Sequence, residues 1–289
     1  MIVLKRYRDV AAALRDPQMQ IVHGAMDPAE HRRMREEARQ LFSPQLFSPQ
    51  LLSHQLLSPQ LHAPRLFRAA TVRKRASIEL TRDHAEPWSL ALAAQVTGLD
   101  PQTARTLAPA AQIIFDAGAS PADAIDAGRA TTTLASHFPT FTALHTQAFV
   151  ALAVSLPAFL GNAWLALLEN RDQFDHLNEA GAIDELLRYA GPSLIQRRIK
   201  DGELVELHLA EANRDPDQYS DPNTLDLTRD ATGHLAFGAG PHACVGAQLI
   251  KAAAASIMPV FAQHFRHAEL IRSEPYGGPA IRGHRVYVL

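Results

Sequence analysis

The sequence predicts a mainly α-helical fold with minor β structure, formed as a single domain over residues 1–289. Segments rich in Ala and Leu fill most of residues 66–160, and an Ala-rich stretch over 244–265 has strong intrinsic helix propensity. Strand-like patterns are confined to two short segments, 204–209 and 282–289. Since 47% of the residues are hydrophobic and a chain of this length can bury a large core, one domain accounts for the pattern.

Helix signals follow one another along the chain. Residues 7–16 predict a short helix, and Asp27-Pro28 supplies an N-cap and a favoured first residue for a charged helix over 29–41. The Ala- and Leu-rich segments break near Pro87, residues 98–101, Ser120-Pro121 and Pro139. Residues 172–190 predict a further helix, whereas residues 213–233 are rich in turn formers and predict an irregular meander.

Residues 41–65 form a five-residue repeat, LFSPQ-LFSPQ-LLSHQ-LLSPQ-LHAPR. Proline at a period of five removes backbone donors that a continuous helix needs, so the repeat favours Ser-Pro turns. We interpret it as a tandem expansion inserted in a loop. A partner-binding module is the other interpretation, and it stays open.

The composition excludes several classes of protein. A net charge of −2 lacks the basic surplus that phosphate contacts require, so no nucleic-acid partner is expected. The single cysteine excludes an intrachain disulfide framework and fits a reducing compartment. The N-terminal residues lack the apolar core of a signal peptide, and the longest apolar run, residues 148–168, is interrupted by Pro157 and Asn162. We expect a cytoplasmic protein with no membrane partner.

The one cysteine, Cys244, lies in a glycine-rich stretch, FGAGPHACVG, at residues 237–246. As a dinucleotide-binding G-x-G-x-x-G loop the stretch fails at its third glycine, where Ala243 stands. As a zinc site it would use His234, His242 and Cys244, without the closely spaced ligand pairs typical of zinc. A buried, inert cysteine would explain the thiol but not the glycines around it.

Ligation of haem iron by the Cys244 thiolate accounts for all the residues of this stretch. Backbone N–H groups in a glycine-rich turn can point at the sulfur, and the N-terminus of the following helix adds its positive dipole. We expect Gly246 to leave room for a flat porphyrin, Phe237 to shield the sulfur from water, and His242 to donate to a propionate.

This stretch is similar to the FGxGxHxCxG signature of the cytochromes P450, the haem-thiolate monooxygenases. The matching residues are Phe237, Gly238, Gly240, His242, Cys244 and Gly246. Three further segments resemble the family in the family's order. They are MDPAEHRRMREEARQLFSP with His31 and Arg35, DELLRYAGP with Glu185 and Arg188, and the meander ANRDPDQYSDPNTLDLTR. With RYRDVAAALRDP and GNAWLALLENRDQ, the resemblance covers nearly the whole chain.

The resemblance implies a P450-like fold that holds haem b, iron protoporphyrin IX, with Cys244 as the axial metal ligand. The residues that it assigns to cofactor binding are His31, Arg35, Arg197, Phe237, Gly238, His242 and Gly246. A shortened stretch before Arg197 leaves the choice between it and Arg198 open. Either Arg214 or Arg229 would complete the network of the Glu-Arg pair.

The sequence departs from the family on the substrate-facing side. Lid and substrate-covering elements are expected to be shortened, which would leave an open or shallow distal pocket. In the central helix, Leu152, Val154 and Ser155 stand where monooxygenases of the family have a glycine, an acid and a threonine. Valine cannot transfer a proton, so Ser155 is the candidate catalytic residue that remains. Pro157 is expected to kink this helix.

We therefore expect a haem-thiolate oxidoreductase, a monooxygenase or peroxygenase acting on a small or partner-presented organic substrate with atypical oxygen activation. The alternative is a catalytically degenerate relative that binds haem or a partner protein. A ferredoxin-type electron donor would dock on the basic helix face with Arg32, Arg33 and Arg39. A dimer would cover an exposed apolar distal face.

Overall fold

The computed structural model describes residues 1–21, 28–41, 77–116, 121–138 and 142–289. Apart from Leu41, the repeat over 41–65 lies outside the described residues, as does the break expected at Pro139. The α-helices are α1 (Tyr7–Arg15), α2 (Pro28–Leu41), α3 (Glu86–Thr97), α4 (Pro101–Asp116), α5 (Pro121–Ala135), α6 (Thr142–Val150), α7 (Leu156–Glu169), α8 (Ala182–Ala190), α9 (Leu209–Ala212) and α10 (Ala247–Phe265). The strands are β1 (Ile2–Leu4), β2 (Gln20–Ile21), β3 (Ile78–Glu79), β4 (Ile195–Lys200), β5 (Glu203–His208), β6 (Leu270–Gly277) and β7 (Arg282–Val288). The expected mainly α fold with minor β structure is confirmed.

The strands form two small sheets. The first has the order β1-β5-β4-β2, with β1 parallel to β5 and the other pairs antiparallel. The second has the order β3-β7-β6 and is antiparallel throughout. The β4–β5 hairpin turns through Asp201-Gly202, whose φ angles of 53° and 78° are those that a tight hairpin turn requires. This turn fixes the register of β4, and with it the sheet face on which each β4 side chain lies.

The core surrounds one long apolar helix made of α6, a π-helical segment at Ala151–Ser155, and α7. Trp164 of α7 stacks on Phe261 of α10 with ring centroids 4.7 Å apart. By length and composition the helix Ala143–Glu169 could cross a membrane, but 72% of its most apolar stretch is buried inside the protein. That burial is typical of a core helix.

Two π-helical segments precede prolines. Thr81–Ala85 leads into α3, Ala151–Ser155 leads into α7, and each ends two residues before a proline, Pro87 or Pro157. At the second one, the N–H of Leu156 donates to the carbonyl of Ala151, five residues back. Two other prolines lie inside helices of regular α type, Pro109 and Pro259. The structure thus has a widened helical turn just before Pro157, where the sequence predicts a kink.

Two helix boundaries differ from those expected from the sequence. Residues 172–190 do not form one helix, because a 3-10 turn at Arg171–His176 is separated from α8 by a loop that ends at Gly181. The last helix begins at Ala247, since Gly246 is its N-cap and the cysteine stretch before it is irregular. Both boundaries fall at a glycine, Gly181 or Gly246, which is a poor helix former.

The N-terminal elements pack on the meander. The backbone N–H of Tyr7 donates to Oδ2 of Asp215 at 2.7 Å, and the Tyr7 hydroxyl donates to the carbonyl of Gly233 at 2.8 Å. A second, smaller core joins α1 to β5, with Val10 and Leu207 among its buried members. The N-terminal residues are therefore held to the rest of the protein in two ways. Side chains of α1 contact the meander and β5, and β1 pairs with β5.

Candidate functional site

The stretch around the cysteine, residues 237–246, is a closed loop that we call the cysteine loop. The N–H of Cys244 donates to the carbonyl of Phe237 at 2.9 Å, which joins the two ends of the loop. Gly238 and Gly240 have φ angles of 67° and 69°, in the region that glycine tolerates best. A Cβ on Gly240 would lie 2.5 Å from the carbonyl oxygen of Leu14, so this glycine also allows the loop to approach α1.

The Cys244 sulfur is surrounded by protein yet open to a cavity. The backbone N–H of Gly246 is close enough to favour the thiolate, and a Cβ on Gly246 would lie 3.9 Å from the sulfur. The residue is exposed because its side chain faces open space in the cavity. Removal from bulk water raises the pKa of the thiol, while the Gly246 N–H and the charge of Arg35 act in the opposite direction.

A cavity of about 360 Å³ lies beside the sulfur. We call it the first cavity. Its walls come from the cysteine loop, α2, β4, α6, the π-helical segment and α10. The apolar lining includes Met34, Leu144, Leu152, Leu249 and Ile250. Among the described residues its lining contains cationic groups and an imidazole but no carboxylate, so it favours an apolar body with anionic substituents.

The basic residues expected from α2 reach this cavity in part. Arg35 lines it, and its Nη1 donates to the carbonyl of Ala243 at 2.8 Å, which links α2 to the cysteine loop. His242 lines the same cavity. The side chain of His31 lies outside the described residues. The structure therefore brings Arg35, His242 and Cys244 together around one space.

Neighbouring arginines of β4 lie on opposite faces of the sheet. Arg198 lines the first cavity, and its guanidinium donates to the carbonyl of Arg197 and to Oε1 of Gln196. Arg197 instead pairs with Glu206 of β5, with Nε 2.9 Å from Oε1. The structure therefore favours Arg198 over Arg197 as the cavity arginine, because the hairpin register turns Arg197 away from the cavity.

Arg198 is a buried cation with no carboxylate partner among the described residues. It is 7% exposed, and its hydrogen bonds go to neutral oxygens of its own strand. Burial lowers the pKa of its guanidinium. Since a buried charge is costly unless it is paired, this arginine indicates an anionic group in the cavity.

The central helix presents a different face to the cavity than the family resemblance implied. Ala151 and Leu152 line the first cavity, whereas Val154 lines a separate space on the opposite side of the helix. Ser155, the candidate catalytic residue, is half-buried at the end of the π-helical segment and does not line the first cavity. The structure thus provides no contact between Ser155 and the space beside the sulfur.

One polar side chain on this wall was not identified from the sequence. Gln147 of α6 lines the first cavity next to Leu144 and Ala148. Helical periodicity would have indicated it, because Gln147 and Ala148 lie three and four residues after Leu144 and four and three before Ala151. The family motif instead indicated Leu152, Val154 and Ser155 as the residues beside the cavity.

Glu185 and Arg188 of α8 form a fully buried ion pair. Arg188 Nε lies 2.6 Å from Glu185 Oε2, and both side chains are 0% exposed. Arg229 adds a second contact to Glu185 at 3.2 Å. Arg214 is not part of this pair, because it stacks on Tyr189. The expected Glu-Arg network is therefore completed by Arg229, and it connects α8 to the meander.

The zinc interpretation receives no support. Among the described residues no three His, Cys, Asp or Glu side chains form a cluster that could hold a metal ion. His234 instead lies 3.2 Å from Oδ1 of Asp184, which also pairs with Lys251. The cysteine loop would have to rearrange to bring His234 and Cys244 to one ion.

The residues around the first cavity fit a haem with thiolate ligation. The donor set contains one thiol for iron, and Arg35, Arg198 and His242 line the same space, where they would face the anionic propionates. The remaining lining is largely apolar, as the flat face of a porphyrin requires. This fit rests on the chemistry of the groups present.

Comparisons with known proteins agree with this geometry. The family model described as Cytochrome P450 matches residues 193–275. The chain is 41% identical over 110 residues to cytochrome P450 107B1 of Saccharopolyspora erythraea. The matched segment covers 32% of this chain and 27% of that protein. It is also 41% identical over 110 residues to a vitamin D(3) 25-hydroxylase of Pseudonocardia autotrophica, covering 32% of this chain and 28% of the relative.

The structural likeness extends further along the chain. P450BioI, crystallised with an acyl carrier protein that carries hexadec-9Z-enoic acid, superposes with a TM-score of 0.83 at 20% identity. The match covers 99% of this chain and 91% of that one, and it shows the fold. In sequence, the chain spans about a third of the length of the curated relatives it matches. The family model, the similar sequences and the shared fold agree, and each makes this chain similar to cytochromes P450.

Proposed function

We propose that this chain is a haem-thiolate oxidoreductase that binds haem b in the first cavity and oxidises a small organic substrate. One observation supports this most directly: Cys244 opens into a cavity that contains Arg35 and Arg198 but no carboxylate among its described lining residues. An iron porphyrin with two propionates supplies the missing anionic groups and a metal for the sulfur. The similarity to cytochromes P450 implies the same cofactor, haem.

Each residue around the sulfur has a role that its position explains. Cys244 would ligate the iron, and the nearby Gly246 N–H would stabilise the thiolate. Arg35, Arg198 and His242 would bind the propionates. Phe237 and Gly238 would hold the loop closed, since the Phe237 carbonyl accepts the Cys244 N–H. When bound, a thiolate-ligated haem supplies the oxygen-activating chemistry.

The opposite wall of the cavity would bind an apolar substrate and exclude water. It is formed by Leu144, Ala148, Ala151 and Leu152, with Gln147 as its polar member. None of these side chains can transfer a proton in the way a carboxylate does, and Ser155 does not reach this wall. We therefore propose that oxygen activation relies on peroxide, or on a proton donor that the substrate supplies.

Partners and compartment follow as further parts of this proposal. Arg32 and Arg33 are exposed on α2, beside the Arg35 that reaches the cavity, and would form the docking face for a small acidic electron donor. The side chain of Arg39 lies outside the described residues. We propose a cytoplasmic protein, with a dimer as the means of covering an apolar distal face.

An absorption spectrum tests the proposal. The purified chain, loaded with haem, is reduced with dithionite under carbon monoxide, and thiolate ligation should give a strongly red-shifted Soret band. Because the chain has one cysteine, that band can come only from Cys244. It should disappear in Cys244→Ala and persist in Ser256→Ala, a matched change on the adjoining helix whose hydroxyl bonds only its own helix.

Failure to bind haem, or an unchanged spectrum in Cys244→Ala, would overturn the proposal. Turnover with an electron donor or with peroxide then separates enzyme from non-enzyme. A thiolate-ligated protein that turns over no substrate under either supply would favour the degenerate haem-binding relative. The apolar wall without a titratable group is the observation that makes this second outcome worth measuring.

A further inference from the structure

A second and larger cavity lies on the other side of the central helix. Its volume is about 550 Å³, and it is bounded by α3, α4, the central helix and the β6–β7 hairpin. We call it the second cavity. Ala153 and Val154 line it, whereas Ala151 and Leu152, the preceding residues of the same π-helical segment, line the first cavity. The two spaces are therefore separated by one turn of helix and have distinct linings.

Both proline-linked π-helical segments border the second cavity. Pro87 and Pro157, the prolines that follow these segments, lie in its wall. A widened helical turn is a feature that recurs at functional sites, and here two such turns meet one space. Leu90, Ala94 and Val154 give the wall its apolar character.

The charges of the second cavity are unevenly compensated. Arg285 contacts Glu86 and lies 3.5 Å from Glu79, so its charge is balanced within the protein. Arg82 pairs with Asp83 at 3.0 Å. These two arginines are thus occupied by carboxylates of the chain itself.

Arg105 differs from the other two arginines. Its Nη2 donates to Oε1 of Gln102 at 3.3 Å, a neutral acceptor on the same helix, and no carboxylate pairs with it among the described residues. Arg105 is exposed at the edge of the second cavity, with the apolar wall beyond it. This arrangement presents one available cation beside a deep apolar surface.

We propose that the second cavity binds an amphipathic carboxylate, with its single carboxylate on Arg105 and its apolar body along Leu90, Ala94 and Val154. A guanidinium recognises a carboxylate through two parallel hydrogen bonds. A cationic ligand would meet three arginines, and a polyanion such as a phosphorylated nucleotide would find only one arginine not already paired. The proposal concerns a site separate from the haem site and does not depend on haem binding.

Isothermal titration calorimetry of the full chain with decanoate tests this. We expect one site for decanoate and much weaker binding for decan-1-ol and for acetate, which lack the charge or the chain. Arg105→Gln should weaken decanoate binding about tenfold or more, since it removes a charge-assisted hydrogen bond. Ala91→Phe, which fills the cavity from α3, should abolish binding.

Two matched variants make the result decisive. Arg129→Gln removes an exposed arginine of α5 outside the cavity and should leave decanoate binding unchanged. Ala148→Phe fills the first cavity and should also leave it unchanged. Loss of binding in Ala148→Phe but not in Ala91→Phe would place decanoate in the first cavity and overturn the proposal, as would equal affinity for decan-1-ol. Circular dichroism confirms that each variant is folded.

Discussion

Arg198 shows how a single residue can indicate the charge of the group that binds in a cavity. Its guanidinium is buried, lies on the wall of the first cavity and bonds only neutral oxygens among the described residues. We predict that Arg198→Gln lowers the affinity for haem about tenfold or more, because a propionate loses a charge-assisted hydrogen bond. Haem titration followed at the Soret band measures this.

Arg197→Gln is the matched control, because Arg197 lies on the same strand but pairs with Glu206. It should change haem affinity little. A second readout separates binding from folding: without haem, Arg198→Gln should unfold at the same temperature as the parent chain or a higher one, since it removes an unpaired buried charge. Equal losses of haem affinity in the two variants would contradict the assignment.

His84 makes the stability of the fold depend on pH. It is 4% exposed, and burial lowers the pKa of its imidazole from 6.5 to about 4. Protonation therefore favours the unfolded chain, so this residue's contribution is complete above pH 6.5 and is lost as the pH falls towards 4. The loss should be about 3 kcal/mol below pH 4, by the conversion of pKa difference to free energy.

Denaturant unfolding at pH 7 and pH 4.5 measures the effect of His84. His84→Leu replaces the titratable imidazole with an apolar side chain. Its neighbour is Phe265, whose ring centroid lies 5.5 Å from that of the imidazole. This variant should lose distinctly less stability over the same pH interval than the parent chain. An identical pH dependence in the two proteins would assign the acid sensitivity to other groups.

At the scale of elements, the central helix depends on a glycine for its closest contacts. A Cβ on Gly161 would lie 2.5 Å from the carbonyl oxygen of His284 and 2.6 Å from the Thr81 hydroxyl. Gly161→Ala should therefore destabilise the fold by about 1–3 kcal/mol through overpacking. Urea unfolding measures it, with Gly128→Ala of α5 as the control.

Gly128 has no atom within 4 Å of a Cβ built on it. The same substitution there should raise stability by up to about 1 kcal/mol, because alanine is the better helix former. If Gly161→Ala behaved like Gly128→Ala, then α7 would not approach β7 as closely as described.

Sequence reasoning predicted elements that are set by local signals. The helices α1, α2 and α10 and the strand β5 follow from propensity, capping residues and alternation. The cysteine loop was predictable because its glycines, histidine and cysteine are adjacent in sequence. Its closure through the Phe237 carbonyl uses no other element.

What the sequence could not predict depends on register and on packing. The hairpin turn at Asp201-Gly202 decides whether Arg198 or Arg197 lines the first cavity. A shift of the strand register by one residue would exchange their positions. In the π-helical segment Ala151–Ser155, Ala151 and Leu152 line the first cavity and Ser155 does not, and a motif does not indicate which residues of a helix face a cavity. Both are tertiary effects that a motif does not encode.

At the scale of the molecule, we predict that the described elements unfold as one unit. The cysteine loop contacts α1 at Gly240, Tyr7 bonds Asp215 and Gly233, and β1 pairs with β5. Thermal unfolding followed by far-ultraviolet circular dichroism should therefore coincide with that followed by tryptophan fluorescence. Two separate transitions would instead divide the chain into domains.

The widened turn at Ala151–Ser155 is a wall common to both binding spaces, because its residues line the first and the second cavity. If a carboxylate in the second cavity changes the affinity of the first cavity for its occupant, that occupant must change the affinity for the carboxylate by the same factor. The reciprocity is a thermodynamic requirement and needs no knowledge of how the helix moves. The apparent affinity of the first cavity for its occupant would then depend on the concentration of the amphipathic carboxylate.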